Sequence, residues 1–183
     1  MNLFKKSTLA VLGLLMAGSL TAQSTTMAGG EAMYPYKDIV SNAVNSADHT
    51  TLVSAVKAAG LVSTLQSEGP FTVLAPDNDA FENLPDGTVA GLLKPEAKAK
   101  LSAVLTYHVL PDKLDFEAIA RNIKKGDGEV KMKTVQGSEL SFSMNGKHNI
   151  VVEDGQGNRA NISTYDVYQS NGVIHVIDAV LLP

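Results

Sequence analysis

The four histidines of this 183-residue chain, His49, His108, His148 and His175, have the widest chemical reach, because an imidazole near neutral pH can move a proton or bind a metal. Their spacing favours neither use. A zinc site would want a His-Glu-x-x-His helix or paired cysteines, and the chain has no cysteine at all. Acyl-transfer chemistry needs a nucleophile, a base and an orienting acid that converge, yet no serine stands in a Gly-x-Ser-x-Gly elbow. His175 shares a strand face with Val173 and Ile177 while Asp178 falls on the other, so that pair cannot meet along an ideal strand. His108 extends the apolar face of a helix and is expected as a hydrogen-bonded core or edge residue.

Two other clusters invite chemistry and are better explained by folding. Asp77 and Asp79 could serve a hard cation, but a calcium loop needs further oxygen ligands and a central glycine, and Phe81 and Glu82 interrupt it. Asp77 or Asn78 is expected instead to cap the helix that starts there. Gly155-Gln156-Gly157-Asn158-Arg159-Ala160 has the glycines of a phosphate-cradling loop, which must open a helix. Asn161 to Tyr165 continues as a strand, so a hairpin turn is expected. The chain is read as having no catalytic residue, no metal and no cofactor.

The elements that must position these residues fall into two halves. Up to about Lys125 apolar residues recur at one-turn spacing: Leu52, Val53, Val56 and Ala59, between a cap at Thr50 or Thr51 and a stop at Gly60; then Leu101, Val104, Leu105 and His108; then Phe116, Ile119, Ala120 and Ile123 behind Asp115. Among these helices Phe71 to Ala75, closed by Pro76, is a short apolar run expected as a buried strand. After Gly128 the period becomes two, from Val130 and Met132 to Val173–Leu182. Gln136-Gly137, Asn145-Gly146, Asp154-Gly155 and Asn171-Gly172 lie between the runs, where glycine can supply the positive φ of tight turns. An antiparallel meander is expected.

Composition narrows the class. The N-terminal residues carry Lys5 and Lys6, an apolar run from Leu9 to Leu20, and a small-residue edge at Ala22, the order of a secretory signal peptide, with no cysteine to take a lipid. Residues 1–22 are therefore expected to be removed, residues 23–35 to form a flexible leader, and residues 36–183 to form one domain. Losing Lys5 and Lys6 from the 15 basic residues leaves 13 against 19 acidic ones, a net charge of −6. Such acidity, with Arg121 and Arg159 the only arginines, argues against a nucleic-acid partner. Lys124, Lys125, Lys131 and Lys133 read as a solvated face, because Lys131 and Lys133 alternate with Val130 and Met132.

Two segments are specific enough to carry a family resemblance. Gly69 to Phe81, with Phe71, Thr72, Ala75, Pro76, Asp79 and Phe81, resembles the first signature of the fasciclin-like domain. Asn171 to Pro183, with Asn171, Gly172, His175 and Asp178, resembles the second, and Leu101 to Pro111, with Tyr107-His108-Val109, resembles the central Tyr-His motif between them. The resemblance implies an α+β wedge, a twisted and mostly antiparallel β-sandwich with a packed helical layer. It also implies an exported, non-enzymatic adhesion module, periplasmic or extracellular, whose partner is a cell-surface polysaccharide or an envelope or matrix protein. Animal matrix members link the Tyr-His segment and a later acidic segment to integrin. Tyr107 and His108 match the first, and Asp166 is the kept acidic residue of Thr164–Tyr168, so these three are the candidate partner-binding residues, although an aromatic and a histidine closing an apolar helix are read first as locking that helix to the sheet. Alternatives are capture of a small apolar ligand between helices and sheet, which a deep apolar cavity would favour, and hydrolysis of cell-wall polymers, which paired carboxylates would favour.

Overall fold

A computed structural model describes residues 25–183; the expected signal peptide and residues 23 and 24 of the expected leader lie outside the described residues. The rest of that leader does not behave as one. Thr26–Ala28 (β1) and Glu31–Met33 (β2) pair as an antiparallel hairpin that lies beside the later strand Arg159–Gln169, with Ala28 and Met33 buried among the core helices. Gly29 fixes how closely the hairpin docks. A Cβ there would sit 2.0 Å from Ser46 Oγ, and its φ of +60° is one a side chain resists. The sequence shows no period in so short a hairpin, because its buried residues face partners from distant parts of the chain.

The helical layer contains Ile39–Ala43 (α1), Thr50–Ala59 (α2), Val62–Leu65 (α3), Asn78–Glu82 (α4), Thr88–Leu92 (α5) and Lys98–Tyr107 (α6). Gly60, at φ +75°, ends α2 as the sequence suggests. Its start differs from expectation: neither threonine caps it with its side chain, and Asn78 Oδ1 accepts from Thr51 N–H at 3.1 Å from across the fold. Asp38, Asp77 and Asp115 cap their own helices, each carboxylate accepting a backbone N–H three residues on at 2.8–2.9 Å.

Phe71–Pro76 (β3) is the buried strand expected. It pairs antiparallel with Val109–Leu110 (β4) and parallel with Gly172–Ile177 (β9), a strand a hundred residues away in the chain. Phe116–Lys125 (α7) then leads into Glu129–Lys133 (β5), Glu139–Asn145 (β6), Asn149–Glu153 (β7) and Arg159–Gln169 (β8), the antiparallel meander that closes on β9. The hydrogen-bonded order is β4-β3-β9-β8-β7-β6-β5, with β8 belonging to both halves and register shifts between Ile162 and Val167. The architecture is the α+β arrangement of sheet and helical layer that the resemblance implies.

Alternation along β3 and β9 separates two cores. Leu74 and Ile177 meet Leu140, Phe142, Ile150 and Val152 of the other half of the sheet, with Ile119 and Ile123 of α7. Val73, Ala75 and Ile174 meet α1, α2, α3 and α6. Because both faces of β9 are covered, all six of its residues are buried. Not every glycine placed at a turn serves the backbone angle: Gly137 and Gly146 have φ of +109° and +80°, whereas in the β7–β8 loop the positive φ falls on Gly157. Gly172 is a spacer. A Cβ there would stand 2.2 Å from Phe71 O, so glycine lets β3 and β9 close.

Candidate functional site

Helix α6 delivers Tyr107 and His108 inward at its C-terminal end. A helix leaves its last carbonyls without intrahelical partners, and the His108 ring answers one of them: Nδ1–H donates to Val104 O at 2.8 Å. Nε2 then accepts from Leu181 N–H at 3.0 Å. Both nitrogens are engaged by backbone, which fixes the neutral tautomer. Burial pushes the imidazole pKa down to about 4, against the opposing pull of the Val104 carbonyl and Asp154. Tyr107 is also buried. Its hydroxyl donates to Glu139 O at 3.0 Å and accepts from Gly155 N–H at 3.2 Å, joining α6 to the β6 edge and the β7–β8 loop. Neither side chain reaches the surface, and in this fold they join helix to sheet.

Asp154, unremarked in the sequence beyond its turn, completes that junction. Its carboxylate accepts from Gln156 N–H, Asn158 N–H, the Asn158 amide and Leu182 N–H at 2.8–2.9 Å. Burial raises its pKa, and these four donors outweigh that and hold it below the usual carboxylate value. An aspartate before glycine in a turn is a visible signal; its grip on the C-terminal segment is not.

The second junction is built on His175 of β9. Its Nε2–H donates to Leu114 O at 2.8 Å and its Nδ1 lies 3.3 Å from Asp166 N–H, so this ring too is held neutral, with burial lowering its pKa. Asp166 sits at the β8 irregularity with φ +57°, a left-handed conformation that a strand residue adopts only at a bulge or turn. Its carboxylate accepts from Phe116 N–H at 2.8 Å and so serves the start of α7 beside the Asp115 cap. Asp166 is half-buried and occupied in this way, and it does not join Tyr107 and His108 in one patch.

The remaining signature residues serve closure. Thr72 Oγ donates to Asp112 O at 2.6 Å and accepts from Leu114 N–H at 2.8 Å. Asn171 ties three segments together: its amide donates to Leu65 O and Ser67 O at 2.8 Å and its oxygen accepts from Ile39 N–H at 3.1 Å. Asp178 holds Asn161 through both carboxylate oxygens, at 2.7 and 2.8 Å. Ala75 and Pro76 are buried in β3, Phe71 half-buried, Phe81 packs with Ala80, Val104 and Val180, and Asp79 is exposed in the first turn of α4. Among the described residues no group of three or more His, Cys, Asp or Glu is placed to hold a metal ion. No helix among them is long and apolar enough to cross a membrane.

Comparison with known proteins gives the family and the fold. The model of the fasciclin domain matches residues 47–183, the span that contains both junctions. The chain belongs to the fasciclin domain family. It is 43% identical over 170 residues to Protein sll1483 of Synechocystis sp., covering 92% of this chain and 86% of that one. It is 32% identical over 167 residues to the cell surface glycolipoprotein MPT83 of Mycobacterium tuberculosis, covering 88% and 68%. A FAS1 domain pair from the insect cell adhesion molecule Fasciclin I shares the fold, with a TM-score of 0.70, 18% identity, and coverage of 81% of this chain and 52% of that one.

His49 is a residue that sequence reading passes over as one of four scattered histidines. It is buried, its Nδ1 lies 2.7 Å from Ser46 Oγ, and its Nε2 has no hydrogen-bond partner. Burial lowers its pKa although Asp48 and Asp77 oppose the shift, so this ring is neutral at pH 7 as well.

Proposed function

We propose that this fasciclin domain protein is a non-enzymatic interaction module acting outside the cytoplasm, where it holds a cell-surface polysaccharide or an envelope or matrix protein. The observation that carries the reading is the use made of the reactive side chains. His108 and His175 have both nitrogens occupied by backbone groups, and Asp77, Asp115, Asp154 and Asp178 each accept at least one backbone N–H. Groups held in this way brace the fold, and the buried histidines are engaged by backbone on both nitrogens. A cell-surface glycolipoprotein and a cell adhesion molecule among the similar proteins support the same class.

With Tyr107 and His108 inside, contact has to be made by other residues. Tyr36, 73% exposed, stacks at 5.3 Å on Tyr34, whose ring Lys37 covers at 4.9 Å. An exposed tyrosine beside a half-buried one and a cation suits an interface. The test is retention of the purified protein on intact envelope, extracellular polysaccharide and supernatant proteins, with Tyr36→Ala beside the parent. Saturable retention on one fraction, weakened by the substitution, is expected; absence of retention on all three refutes the reading.

A further inference from the structure

Among the asparagines of this chain only Asn145 and Asn171 precede a glycine. That dipeptide has a chemistry of its own. The backbone nitrogen of the next residue can attack the side-chain carboxamide carbon, and glycine, without a Cβ, obstructs that close approach least. The fold treats the two positions in opposite ways. Asn171 is buried and held at both ends of its amide, which donates to Leu65 O and Ser67 O at 2.8 Å and accepts from Ile39 N–H at 3.1 Å. Gly172 is buried as well, paired with Phe71 on one side and Gln169 on the other, and so close to Phe71 O that a Cβ would stand 2.2 Å from it. Turning the Asn171 carboxamide back onto Gly172 N would break three hydrogen bonds inside a strand that has no room to shift.

Asn145 ends β6 at the tip of the β6–β7 hairpin, where Gly146, Lys147 and His148 lead to its cross-strand partner Asn149. All five residues are exposed. No hydrogen bond among the described residues holds the Asn145 carboxamide, and a Cβ at Gly146 would meet nothing within 4 Å, so the space beside the attacking nitrogen is open. The hairpin is anchored one pair further in, at Met144 and Ile150, where Ile150 N–H donates to Tyr165 Oη at 2.7 Å. The tip can therefore rearrange without opening the core. We propose that Asn145 is a site of spontaneous covalent modification in the folded protein, becoming isoaspartate and aspartate while Asn171 stays intact. Gly146 N loses its proton to solvent and bonds to Asn145 Cγ; the Cγ–Nδ2 bond breaks and ammonia leaves, taking up a proton. Water then adds to either carbonyl of the resulting succinimide. Opening at Cγ gives aspartate, and opening at the backbone carbonyl gives isoaspartate, whose chain runs through the side chain. No oxidant or reductant is needed, and water is the one co-reactant. Either product places a new carboxylate beside Lys147 and His148. The proposal does not depend on the reading of the protein as an interaction module.

The test is incubation of the purified protein for days at mildly alkaline pH, followed by peptide mapping with a fragmentation method that separates isoaspartate from aspartate. The Asn145 peptide is expected to exchange NH₂ for OH and to contain both products. Its rate should exceed that at Asn171 by at least about tenfold, the factor that one net hydrogen bond supplies, since three such bonds hold Asn171. In urea, with the fold gone, the two sites should react at comparable rates because glycine follows both. Asn145→Ser removes the carboxamide and should abolish the acidic species that accumulates in the folded parent. Absence of isoaspartate at position 145 in the folded chain overturns the proposal, as does aspartate alone, which would mean direct hydrolysis. Equal reaction at Asn171 in the folded chain, or a difference between the sites that persists in urea, overturns the part assigned to the fold.

Discussion

Acidification should destabilise this protein through His108 before its carboxylates titrate. The folded-state pKa of about 4 lies well below the ordinary histidine value of 6.5. Between those values the unfolded chain carries a proton that the native ring refuses, so stability is full above pH 6.5 and falls as the pH drops toward 4. At 1.36 kcal/mol per pH unit the complete loss is roughly 3 kcal/mol, and about 2 kcal/mol of it is gone by pH 5. The cause is burial of the ring, and the Leu181 N–H aimed at Nε2 stands where a second proton would have to go. His49 and His175, whose values are also lowered by burial, add slopes of the same sign. His108→Gln isolates the contribution of one ring, because it removes the titrating group and can still offer an oxygen to Leu181. At pH 7.5 the variant should be less stable by about 1–3 kcal/mol for the lost bond to Val104 O. Urea unfolding of both proteins from pH 7.5 to 5 measures the difference. The gap should narrow by about 2 kcal/mol across that range, and a gap that stays constant would refute the assignment of His108 as a buried neutral brace.

Tyr107→Phe removes only the hydroxyl between Glu139 O and Gly155 N–H and should cost about 1 kcal/mol in the same urea assay; unchanged stability would mean the hydroxyl is not paired inside. Gly172→Ala drives a Cβ into Phe71 O at 2.2 Å and should lower stability by about 1–3 kcal/mol, as overpacking does, even though its φ is not positive; a neutral result by thermal melt would show that β3 and β9 can part freely. Asp154→Asn turns an NH₂ toward N–H donors and should cost about 1–3 kcal/mol at pH 7. Because the native carboxyl pKa is lowered, the parent's advantage is present above pH 3.8 and fades as the pH falls through the folded value, which unfolding at pH 7 and pH 3 checks. Mass spectrometry of the chain recovered from the periplasm or medium should find Gln23 at its start, and an intact Met1 there would contradict the expected signal peptide.

The sequence alone determined what depends on near neighbours. Helical period, the caps at Asp77 and Asp115, the stop at Gly60 and the turn glycines at 137 and 146 are set by groups within about four residues, the reach of local hydrogen bonds. The alternating runs after Gly128 also determined the meander, because each strand there pairs with the next one in the chain. Tertiary structure decided whatever needed a distant partner. Nothing near Phe71–Pro76 announces that it will lie parallel to Gly172–Ile177, and the hairpin at residues 26–33 has no period of its own to declare it. The same holds at the sites. An acidic or aromatic side chain can be read as a cap, a contact or a brace until its partner is known, and those partners are remote: Leu181 lies 73 residues from His108, Leu114 61 from His175, and Phe116 50 from Asp166. His49 is the limiting case, since an unsatisfied Nε2 is a property of the space around a ring, and that space exists only once hairpin, helices and sheet have closed over it.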